Sequence, residues 1–129
     1  MIGAVNNRTE SVAFSARFSR KTIKAVNLGL YNLSHGKTDV SKQEMTQLRN
    51  QFHLIKKDLA ATGESGTYML KHDRGGAFIQ YETTGSCKRD YLPWEIQKEM
   101  IISNDVVQFP PKQLYRLAKF LKEFKTLSY

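Results

Sequence analysis

The chain reads as an α+β protein, a central antiparallel β-hairpin sheet with helices packed on one face. Three observations predict this. Residues 67–84 alternate apolar and polar side chains on either side of a glycine pair, the period of a pleated ribbon. Residues 20–33 and 42–60 repeat their apolar positions every three or four residues, the period of a helix with one buried stripe. The stretch from Pro110 onward reads as a basic amphipathic helix. A chain of 129 residues is expected to form one domain. Its sub-regions are a basic strand-helix-helix part over 9–63, and the hairpin sheet with the C-terminal helix over 66–129.

Taken in order, Val12, Phe14, Ala16 and Phe18 alternate with Ser11, Ala13, Ser15 and Arg17, as in a half-buried strand. Ser19 is placed to cap a helix from Arg20 to about Leu33, with Ile23, Val26, Leu30 and Leu33 inward and Gly36 near its end. Ser41-Lys42-Gln43-Glu44 is a capping box, with Val40 and Met45 as its hydrophobic staple. The helix it starts, Lys42 to about Ala60, turns Met45, Leu48, Phe52, Ile55 and Leu59 inward and Arg49, His53, Lys56 and Lys57 outward. Thr62 to Gly66 is a hinge.

In the hairpin, Tyr68 and Leu70 share one parity, as do Ala77, Ile79 and Tyr81, while Phe78, Gln80 and Glu82 take the other. Gly75 and Gly76 are expected to supply the positive φ angles of the turn. Gly85 to Asp90 reads as a polar turn. From Pro93, Trp94, Ile96, Met100 and Ile101 fit a short helix, while Ile96, Met100 and Ile102 share strand parity; the helix is preferred. Residues 105–109 read as a short strand. Pro110-Pro111 suits the first turn of the last helix, whose inner stripe is Leu114, Leu117, Ala118, Leu121 and Phe124.

Net charge is +8, and its distribution is uneven. Residues 1–63 hold ten Lys/Arg against four Asp/Glu, residues 64–109 five against seven, and residues 110–129 five against one. Two basic ends flanking an acidic middle suggest a polyanion gripped at two places. The candidate nucleic-acid contacts are Ser15, Arg17, Arg20, Lys21, Lys24, Lys42 and Arg49 in the first part, and Lys112, Arg116, Lys119 and Lys122 in the last.

Little points to catalysis. His35, His53 and His72 have no metal-ligand spacing to one another or to Cys87. No glycine-rich phosphate loop or nucleophile elbow is present, and His72-Asp73 reads as a solvated turn dipeptide. A non-enzyme without cofactor or metal is expected. One cysteine, no apolar h-region and no run near the roughly 20 apolar residues that span a bilayer lead to the expectation of a cytoplasmic protein with no membrane partner.

Over residues 10–60 the order strand, helix, glycine-containing turn, helix, with basic residues at its start, resembles the ribbon-helix-helix DNA-binding family. The resemblance implies a homodimer whose paired strands form a ribbon in the major groove. Ala13, Ser15 and Arg17 would then face bases, and the amides near Ser41 and Lys42 would face phosphates. Ala13 departs from the pattern by offering no hydrogen bond, and the second helix is longer than the pattern needs. Arg74-Gly75-Gly76-Ala77-Phe78-Ile79-Gln80-Tyr81 resembles the octapeptide of RNA-recognition domains, departing at its third position, where Gly76 replaces an aromatic. That resemblance implies base stacking on Phe78 and Tyr81. The expectation that follows is a non-catalytic DNA-binding regulator or accessory factor, of the kind mobile elements encode. The alternatives are an adaptor or inhibitor docking on an acidic protein and, lower, a single-strand or RNA binder.

Overall fold

The computed structural model describes residues 16–36, 40–62, 65–103 and 106–126; Ser15 and the expected strand residues before it lie outside them. Strand β1 (Ala16–Phe18) leads into helices α1 (Arg20–His35) and α2 (Lys42–Ala60). Strands β2 (Gly66–Asp73), β3 (Gly76–Glu82) and β4 (Cys87–Tyr91) follow, then the one-turn helix α3 (Trp94–Gln97). The hairpin of β5 (Ile101–Ser103) and β6 (Val106–Gln108) precedes a 3-10 turn at Pro111–Gln113 and the last helix, α4 (Leu114–Thr126). The architecture is α+β, with a four-stranded sheet in the order β1-β2-β3-β4.

β1 runs parallel to β2, pairing Ala16 with Gly66 and Phe18 with Tyr68. Parallel neighbours need a crossover, and α1 with α2 supply it. This departs from the ribbon expectation: residues 16–18 find their partner strand within the same chain, because β2 offers them an edge.

β2 and β3 pair antiparallel with Tyr68 opposite Tyr81 and Leu70 opposite Ile79, so these four share a face with Phe18. That face meets the apolar stripes of α1, α2 and α4 in one hydrophobic cluster running from Ala16 to Phe124. Tyr68 stands at its centre. Its ring stacks on Tyr81 at 4.4 Å and meets Phe18 and Phe124 at 5.5 and 5.6 Å, pairs worth about 0.5–1.5 kcal/mol each beyond their area.

A buried threonine ties α1 to the sheet. Thr22, 2% exposed, accepts the Leu70 amide on its Oγ1 at 3.0 Å and shares a hydrogen bond with Ser19 Oγ at 2.8 Å. The Ser19 amide donates to the Tyr68 carbonyl at 2.8 Å. Once β1 ends, the helix cap therefore satisfies the next groups of the β2 edge.

Three expectations change. The polar turn at Gly85 to Asp90 contains most of strand β4: Cys87 to Tyr91 lack apolar alternation, and their strand is made by pairing with β3, Phe78 opposite Tyr91 and Tyr81 opposite Lys88. Of the expected glycine pair only Gly76 has positive φ, at 119°. Gly75 instead donates its amide to Asp73 Oδ1 at 2.8 Å, and this side-chain bond closes the turn. The segment after Pro93 takes both shapes, a helix at Trp94–Gln97 and then a strand at Ile101–Ser103. Gln97 makes the helix useful, accepting the Ala77 amide at 2.8 Å and donating to the Leu92 carbonyl at 2.7 Å.

The base-stacking expectation also falls. Tyr81 is 1% exposed and lies on the helix-covered face. Phe78 points to the other face, yet only 4% of it is exposed. The Tyr91 ring meets it edge-on at 5.3 Å, and the Arg89 guanidinium lies over it at 4.8 Å. The two rings sit on opposite sides of the sheet, and neither is open to a base.

Candidate functional site

α1 opens with an electrostatic anomaly. Its first turn has no acidic residue, and Arg20 and Lys21 occupy its first two positions with Lys24 one turn on. Cations at a helix start oppose the macrodipole, by about 0.3–1 kcal/mol each at the surface. α2 behaves ordinarily by comparison, with Glu44 in its first turn beside Lys42. A local rule broken without a gain in folding marks a candidate site.

The packing of α1 gathers further cations around that start. One cleft is lined by Arg20, Lys21 and Lys24 over Ala25, Leu28 and Val107. A second, at the end of β1, is lined by Arg17, Arg20 and Lys56, with Ser19, Ala60 and Thr67. A third runs between α1 and α2 and is lined by Arg49, His53 and Lys56. Arg20 belongs to the first two and Lys56 to the last two, so the clefts adjoin. Among the described residues no Asp or Glu lines any of them. Arg17, Arg20, Lys24, Arg49 and Lys56 are exposed and Lys21 is half-buried. The result is a basic band over the start of α1 and the second half of α2, capped by a helix end of the same sign.

The other expected phosphate-binding residues do not join it. Lys112 lines a separate groove whose lining includes a carboxylate, with Glu44, Gln47 and Gln51. Lys42 lines none of these four clefts. Arg116, Lys119 and Lys122 are exposed on the outer side of α4 with Glu123, and they also line none of the four. The Arg116 guanidinium lies 5.3 Å from the Tyr115 ring centre.

Sequence reasoning missed Lys56 and His53 as site residues, although it placed both on the outer side of α2. Only the tertiary approach of α2 to β1 and α1 sets Lys56 beside Arg17 and Arg20, and His53 in the cleft between the two helices.

Two titratable groups away from the band, Asp73 and Lys88, are tied into the fold. Asp73 accepts the Tyr91 hydroxyl at 3.0 Å and lies 3.7 Å from Arg89, so the turn and the β4 edge use it. Burial pulls the Lys88 ammonium below its usual range, with Asp90 pulling the other way; its Nζ lies 4.6 Å from the Phe124 ring centre. Among the described residues no three His, Cys, Asp or Glu side chains are grouped to hold a metal ion, and no helix is long and apolar enough to cross a membrane. No protein-family model, curated protein or solved structure matches the chain.

Proposed function

We propose that this protein is a non-catalytic DNA-binding protein, a small regulator or accessory factor, that holds the phosphate backbone of a duplex on its basic band. The observation that supports this reading is the clustering of Arg17, Arg20, Lys21, Lys24 and Lys56 around the positive end of α1 with no lining carboxylate. A polyanion is the ligand that such a field attracts most strongly, because each neutralised phosphate releases a counterion. A duplex is preferred to a single strand here because the two rings that the sequence offers for base stacking, Phe78 and Tyr81, are both closed. Neither Trp94 nor Tyr115, both exposed, lines a cleft of the band. A homodimer would double the band, and sedimentation equilibrium tests for it.

A second reading has its own support. Trp94, Ile101 and Val106 are 71%, 56% and 51% exposed, and Val106 lines the same cleft as Arg20, Lys21 and Lys24. An apolar surface beside a basic one suits an acidic protein partner.

One titration separates the two. Fluorescence anisotropy with a labelled duplex, its single strand, an RNA of the same sequence and a polyglutamate peptide should be followed from low to physiological salt. DNA binding predicts that the duplex binds tightest, with log affinity falling linearly in log salt. Polyglutamate binding as tightly as the duplex would favour the adaptor. No duplex binding at low salt would refute the proposal.

A further inference from the structure

We propose that the cleft between α1 and α2 is a binding site for a small amphipathic anion, an acyl or aryl carboxylate. Its floor is apolar, built from Ile23, Val26 and Leu30 of α1, Phe52 of α2, Phe18 of β1 and Leu121 of α4. Its basic side chains are Arg49, His53 and Lys56, spaced four and then three residues apart. That spacing sets them on one stripe of α2. Asn27 and Tyr31, four apart on α1, line the same cleft and add an amide and a phenol. The cavity measures about 360 Å³, inside the range of about 300–1,000 Å³ usual for small-molecule sites.

The lining selects for one kind of molecule. A hydrocarbon or aromatic body gains by leaving water for the six apolar side chains of the floor. A carboxylate head finds a guanidinium, which binds carboxylates through paired charge-assisted hydrogen bonds, and an ammonium beside it. No described carboxylate lines the cleft, so an anion meets no like charge there, while a cationic amphiphile meets three basic side chains. The inference goes beyond backbone binding. Arg49 and His53 line this cleft and neither of the two clefts around the start of α1, while Lys56 is shared with one of them.

Decanoate below its micellar concentration is a suitable probe, with decyltrimethylammonium as the opposite-charge control. Calorimetry should show saturable binding of one decanoate per chain and none of the ammonium. Amide shifts should gather in residues 23–31 and 49–56. Arg49→Gln, an exposed change on α2, should weaken decanoate at least about tenfold, a change of about 1.4 kcal/mol, with circular dichroism unchanged. Arg20→Gln/Lys21→Gln/Lys24→Gln should bind decanoate as the parent does, whatever becomes of its DNA binding, so the two proposals can fail separately. Non-saturating binding, equal binding of the ammonium, or indifference to Arg49→Gln would overturn the proposal.

Discussion

Two parts of this protein are both strongly basic in sequence and differ in what the fold does with the charge. Around the start of α1, Arg17, Arg20, Lys21, Lys24 and Lys56 converge on adjoining clefts that no described carboxylate lines. On α4, Arg116, Lys119 and Lys122 lie along an exposed side with Glu123. The first arrangement opposes a helix dipole and gains nothing evident for folding. The second is what a solvated helix ordinarily presents, its stability coming from the other side, where Leu114, Leu117, Leu121 and Phe124 are at most 2% exposed. The difference shows that clustering without counter-charge, rather than the number of lysines and arginines, distinguishes a candidate site from a soluble surface.

Substitutions on each part should break along that line. The largest effect belongs to the inner side of α4. Phe124→Ala removes a ring that is 1% exposed and should cost about 3–5 kcal/mol in chemical denaturation. A loss under about 1 kcal/mol would mean that α4 is not the structural partner in the comparison. Next comes the anchor beneath the band. Thr22→Val keeps the shape of the side chain and strands the Leu70 amide that Thr22 Oγ1 accepts, which should cost about 1–3 kcal/mol. Hydrogen exchange at Leu70 should quicken with it.

How much of the molecule is legible in its sequence follows from where each signal lives. α2 is legible from end to end because Ser41, Glu44 and the Met45-to-Leu59 stripe are all local. Parity also assigns the faces of β3, with Ala77, Ile79 and Tyr81 on the inner side. The closure of Phe78 is not legible, since it depends on Arg89 and Tyr91 of a strand whose own sequence has no strand pattern. Thr22 and Gln97 are hidden for a related reason. Each bonds a backbone group far along the chain, Leu70 for one and Ala77 for the other. The basic residues of the band can be named singly from the sequence, although Lys56 and His53 read there only as outward positions of α2. Their convergence needs the crossover that lays α2 beside β1.

Smaller effects sharpen the contrast. Neutralising Arg20 and Lys21 to glutamine should raise stability, by about 0.3–1 kcal/mol per residue, because it relieves the helix start. A thermal scan at low salt would show this as a higher Tm, and a lower one would mean that these side chains serve the fold. Arg116→Gln/Lys119→Gln/Lys122→Gln should change stability by less than about 0.5 kcal/mol and duplex affinity by less than about threefold, since α4 is expected to contribute long-range field without touching the duplex.

The most direct measurement is the slope of log affinity against log salt for one duplex, taken for the parent and for Arg20→Gln/Lys21→Gln/Lys24→Gln. The slope flattens by about 0.9 for every phosphate that the protein no longer neutralises, so a flattening of between about two and three units is predicted, with Tm unchanged or raised. An unchanged slope in that variant, or an equal flattening when Arg116, Lys119 and Lys122 are neutralised instead, would contradict the account.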